Sequence, residues 1–147
     1  MQSVLNNSNS IQISSDNDLQ EKVNYFRSKF RENIGIESYH LIEASPSKSQ
    51  AVGHYVHQRI GNNTGKIGSL VKVESERAID TNNLEDIGHS LSRQIVALGD
   101  SEVNVAKLLN SEYLFAPIGT VRKFIEQCEE KLNSKISVLD FTYVKIK

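Results

Sequence analysis

Val52-Gly53-His54-Tyr55-Val56-His57, followed after a polar loop by Gly65-Lys66-Ile67-Gly68-Ser69-Leu70-Val71-Lys72-Val73, decides the fold. Both runs carry apolar or aromatic side chains at alternating positions, so strands are expected at Ala51 to His57 and Lys66 to Glu74. The short connection makes them antiparallel neighbours. Side chains alternate along a strand, so Val52, His54 and Val56 oppose Gly53, Tyr55 and His57. In the second run Ile67, Ser69, Val71 and Val73 oppose Lys66, Gly68, Leu70 and Lys72. If helices cover the valine face, the outer face collects Tyr55, His57, Leu70 and the two lysines, while His54 points inward. Ala44 through Val73 contains four cations, Lys48, Arg59, Lys66 and Lys72, and no acid. A positive, partly apolar surface of this kind suits an acidic protein patch or RNA. The plainer reading leaves Tyr55 half-buried and His57 hydrogen-bonded at the hairpin.

The neighbouring segments supply the rest of an α+β fold. Leu19, Val23, Phe26, Phe30 and Ile34 fall on one helical stripe, with Asp16 or Asp18 able to cap the helix. Gly35 to Glu43 reads as a first strand, ended by Ser45-Pro46-Ser47. A second amphipathic helix is expected from Asn82, with Glu85 as capping-box partner and Leu84, Ile87, Leu91, Ile95 and Leu98 on one face. Gly88 within it permits close approach of another element, and Gly99 is a helix stop. Glu102 to Asn110 is a short helix. Thr120 starts another, carrying Val121, Phe124, Ile125, Cys128 and Leu132, and Ile136 to Ile146 is a closing strand with room for a bulge. The expected architecture is a small, mainly antiparallel sheet, a three-stranded meander plus the closing strand, with helices on one face.

Composition bounds the function. The chain has 147 residues, 38% hydrophobic, which fits one domain over 18–147. Residues 1–17 read as a flexible arm, because nine of the first eighteen residues are Asn or Ser. A net charge of -1 gives no global electrostatic case for DNA or an anionic membrane. No apolar run approaches the ~20 residues of a membrane span. No secretory or mitochondrial leader is visible. The lone Cys128 excludes an intramolecular disulfide framework and suits a reducing compartment.

Catalytic signatures are weak. Gly61-Asn62-Asn63-Thr64-Gly65-Lys66-Ile67 has the outline of a phosphate-binding loop, but it lacks one residue between the glycines and a Ser or Thr after the lysine, and it opens a strand instead of a helix. His40, His54, His57 and His89 show no metal-ligand spacing. Cys128 has no Gly-rich elbow beside it and reads as a small buried hydrophobe. Neither a metal nor a cofactor is expected, and the residues point to an interaction surface without covalent chemistry.

Arg31-Glu32-Asn33-Ile34, the two opening runs, and Thr81-Asn82-Asn83-Leu84-Glu85-Asp86-Ile87-Gly88 together resemble translation elongation factor Ts, in its carboxy-terminal core subdomain and mitochondrial branch. Leu108-Leu109, Pro117, Thr120-Val121 and Val138-Leu139-Asp140-Phe141 continue that resemblance in the same order. The resemblance implies a guanine nucleotide exchange factor of the mitochondrial matrix, which binds elongation factor Tu and promotes GDP release by linkage. Carried over by motif, Tyr55, His57, Lys66, Ile67, Gly68 and Leu70 are the expected contacts. The family's amino-terminal three-helix module and its Thr-Asp-Phe loop have no match in the sequence, Ala116 replaces the family's usual Asp before Pro117, and the acidic tail is replaced by Val144-Lys145-Ile146-Lys147. Docking is therefore the firmer expectation. The alternatives are a non-catalytic elongation factor Tu-binding module and an RNA-binding module, the latter without a recognised RNA motif.

Overall fold

The computed structural model describes residues 2–4, 17–62 and 64–146. The chain divides into two compact units, Met1–Leu41 and Ile42–Lys147. The first holds strand β1 (Gln2–Val4), helix α1 (Asn17–Phe30) and strand β2 (Ser38–His40), with β1 and β2 paired in parallel. In α1 only Val23 is buried; Tyr25, Phe26 and Phe30 are exposed. The helix stops at Phe30 because Arg31 enters the left-handed region, at φ 53°. Ile34 thus leaves the expected stripe, and its carbonyl accepts from Arg27 Nε. Asp16 and most of the Asn/Ser-rich arm lie outside the described residues.

The second unit contains strands β3 (Gln50–Gly61) and β4 (Thr64–Ser75), helices α2 (Thr81–Leu98), α3 (Val105–Asn110) and α4 (Val121–Leu132), and strand β5 (Ile136–Lys145). Its sheet has the order β3-β4-β5, antiparallel throughout. This is the α+β class expected from the pattern. The meander is built differently, however: Gly35 to Glu43 contributes only three strand residues, and these pair with β1 in a separate sheet. The closing strand β5 takes the third place instead and carries its expected irregularity where the register shifts between Lys72 and Val73.

Helix termini follow local chemistry. Asp80 caps α2 by accepting from Asn82 N at 2.9 Å, so the helix begins one residue before the expected start and Glu85 is not needed as a cap partner. Gly99 ends it at φ 63°. Thr120 caps α4 through Lys123 N, as its position predicts. Ala51, Val71 and Val73 from the sheet meet Leu84, Ile87, Leu91 and Ile95 from α2, and Leu108, Val121, Ile125 and Ile136 close the core.

The face of β3 under the helices is the reverse of the expected one. Ala51 and Gly53 are buried beneath α2, whereas Val52 and Val56 are half-buried on the open face and His54 is exposed. The reason is backbone proximity. A Cβ built on Gly53 would overlap the Gly88 backbone, and one on Gly88 would stand 2.7 Å from Gly53 N. Only a pair of glycines permits this contact, so the small side chains select the covered face.

Candidate functional interface

The register divides the six expected contact residues between two faces. Tyr55 lies opposite Ser69 and His57 opposite Ile67, on the same side as Gly53 and Val71. Lys66, Gly68 and Leu70 share the open face with Val52, His54 and Val56. They do not form one patch. Tyr55 and Leu70 lie at mid-strand, whereas His57, Lys66, Ile67 and Gly68 lie toward the end of the hairpin remote from Gln50 and Ser75.

On the helix-bearing side, Tyr55 is half-buried and His57 exposed. Tyr55 Oη stands 3.4 Å from His57 Nδ1, and the rings meet edge to face at 6.0 Å. Gln58 follows at φ 52°, and the register shifts between Arg59 and Gly61, so the last residues of β3 twist away from a regular ladder.

On the open side, Val56, Ile60, Gly68, Val144 and Ile146 line a shallow apolar hollow, with Lys66 at its margin. Ile60 is 75% and Ile146 57% exposed, which is high for isoleucine and marks the hollow as unfilled. Ile146 N donates to Lys66 O at 2.9 Å and ties the end of β5 to the hairpin. Val144 and Ile146 join Ile60 only through β4–β5 pairing, and for that reason they were invisible as contact candidates in the sequence. The one available signal was that β5 carries apolar residues on both faces.

Charge is graded along the sheet. Near Ser75, Lys72 lies opposite Asp140, and Gln50 Nε2 donates to Glu74 Oε2 at 2.5 Å. At the remote end Arg59, Lys66 and Lys145 are exposed, with no acid between Ala51 and Val73. This end is thus apolar and cation-rimmed, the chemistry that recognises an acidic protein surface.

The other candidate groups form no reaction centre. His89 Nδ1 lies 2.9 Å from His54 N and 3.1 Å from His54 O at the edge of β3 away from β4, with the two rings edge to face at 4.7 Å. Among the described residues, no three His, Cys, Asp or Glu side chains are grouped to hold a metal ion, and no helix is long and apolar enough to cross a membrane. Cys128 is half-buried, and burial pushes its thiol above the ordinary range, with nearby Lys131 opposing and Glu129 adding to the rise. That direction disfavours a nucleophilic thiolate.

The family model described as Elongation factor TS matches residues 2–108 of this chain. The chain is also similar to the mitochondrial elongation factor Ts of Heterostelium pallidum, with 34% identity over 79 residues. The similarity covers 52% of this chain and 22% of that relative's length.

Proposed function

The chain belongs to the elongation factor Ts family, and from that premise we propose that it docks on elongation factor Tu in mitochondrial translation and promotes release of GDP. The observation carrying this reading is that the β3–β4 part of the apolar, cation-rimmed end, with Val56, Arg59, Ile60, Lys66 and Gly68, falls within the matched span of 2–108, while Val144, Lys145 and Ile146 of β5 complete it from outside that span. Tyr55, His57 and Ile67 contact the partner from one side of the hairpin, and Lys66, Gly68 and Leu70 from the other. Such a division means that the partner grips the end of the hairpin instead of lying flat on one face. Exchange then requires only that the nucleotide-free partner be bound more tightly than the GDP form; each tenfold preference corresponds to about 1.4 kcal/mol.

Calorimetry with elongation factor Tu tests the docking. His57→Ala and Lys66→Ala are each expected to weaken binding about tenfold, as for anchor residues in other interfaces, with an unchanged circular dichroism spectrum. Loss in only one variant reduces the grip to a single face, and unchanged affinity in both places the interface elsewhere. Fluorescent GDP release from the complex tests exchange separately. Binding without faster release selects a non-catalytic docking module.

A further inference from the structure

Helix α1 leaves much of its apolar stripe in contact with solvent. At 3.6 residues per turn, Leu19, Val23, Phe26 and Phe30 fall within an arc of roughly 60°. Val23 is buried, yet Phe26 is 43% and Phe30 54% exposed, and Tyr25 beside them is 59% exposed. Large rings gathered on one exposed helix face mark a surface that another apolar phase covers. The rings are also ordered. Tyr25 meets Phe26 edge to face at 5.3 Å, and Phe26 lies parallel to Phe30 at 5.9 Å. Lys29 Nζ stands 5.7 Å from the Tyr25 ring centre and 5.8 Å from that of Phe30, so its stem follows the aromatic margin while its charge stays outside.

The charges around the stripe identify that phase. Lys22 and Lys29 project to one side of it and Arg27 to the other, and Arg31 follows directly after the helix. Arg27 is held beside the helix by its Nε donating to Ile34 O. No acid occurs from Val23 to Arg31. Of the helix's two acids, Asp18 pairs with Lys22 at 3.3 Å and Glu21 projects from the opposite face. Cations on both flanks of an apolar stripe complement an anionic bilayer surface, where rings enter the headgroup boundary and Lys and Arg reach the phosphates. The overall charge of -1 conceals this feature because it is local. RNA fits less well, since a base needs an open ring face on which to stack. Here Phe26 and Phe30 are turned on each other, and Lys29 lies over Tyr25 and Phe30. With 14 residues the helix lies on a bilayer and does not span it.

We propose that α1 is an interfacial helix that seats Phe26 and Phe30 in the surface of a bilayer containing anionic lipid, with Lys22, Arg27, Lys29 and Arg31 on the headgroups. This contact uses none of the hairpin residues and does not depend on elongation factor Tu. Flotation of the full chain with vesicles tests it. Binding is expected to phosphatidylcholine vesicles that carry phosphatidylserine, to weaken as salt is raised, and to be lost on phosphatidylcholine alone. Phe30→Ser is expected to weaken it about tenfold with an unaltered melting curve, and Lys29→Gln about fivefold. No binding to the anionic vesicles overturns the proposal, and so does wild-type binding by Phe30→Ser. Equal binding to both kinds of vesicle removes the headgroup contact and overturns it as well. A loss in Lys66→Ala as large as in Lys29→Gln moves the contact to the hairpin. Tighter binding to a single-stranded RNA that Phe30→Ser abolishes, or a dimer in sedimentation that Phe30→Ser dissociates, gives the stripe to another partner and overturns the assignment.

Discussion

Cys128 shows at the residue scale how environment selects among chemical roles. The thiol lies between α2 and α4 near Asn83, Asp86, Ile87 and Phe124, and burial raises its pKa. The unfolded thiol loses its proton near pH 8.5, whereas the folded one holds it to higher pH. The folded state therefore binds more protons above that point, and stability falls as pH rises through the alkaline range. Chemical denaturation between pH 7.5 and 9.5 should show this decline, and Cys128→Ser should flatten it. A slope unchanged in Cys128→Ser would remove the thiol as its source. Sequence made the buried character of Cys128 legible through its place on the α4 stripe. Gln94 was not legible in the same way, since an amide amid apolar neighbours gives no hint that it donates to Glu112 O and accepts from Leu114 N further along the chain.

Elements were easier to foresee than the way they meet. Period-two and helical spacing located β3, β4, β5, α2 and α4, because each buries one face of a regular element. The covered face of β3 was missed because valines dominate a hydrophobicity pattern, while Ala51 and Gly53 contribute almost nothing to it. Yet the glycine is what admits the helix. Gly53→Ala is expected to force α2 off the sheet at a cost of about 3 kcal/mol or more, lowering the melting temperature by about 10 °C or more. A melting temperature within about 2 °C of wild type would show that the Gly53–Gly88 approach is not needed; the scale of that shift is well below 1 kcal/mol. The proposed hairpin contacts could be named from the sequence but not sorted into faces, since register, which divides them, depends on this same packing.

At the scale of the whole molecule the core is unevenly distributed. Among the described residues, every buried hydrophobic side chain except Val23 lies beyond Ile42. A chain beginning at Ile42 is therefore expected to unfold cooperatively, with a melting temperature within a few degrees of the full chain. Loss of a sigmoidal transition would show that the first unit supplies stability that burial does not reveal. Assembly depends on a smaller feature. Among the described residues, strand β3 has an unpaired border, and such borders invite copies of a protein to zip together into extended sheets. His89 obstructs that route at His54, the midpoint of the strand. His89 Nδ1 accepts from the His54 N–H in one tautomer and donates to the His54 carbonyl in the other, so one nitrogen keeps the position occupied in either tautomer. The border is thus closed to a passing strand at this position, and a chain with near-zero net charge thereby gains a safeguard against polymerisation that charge repulsion does not give it.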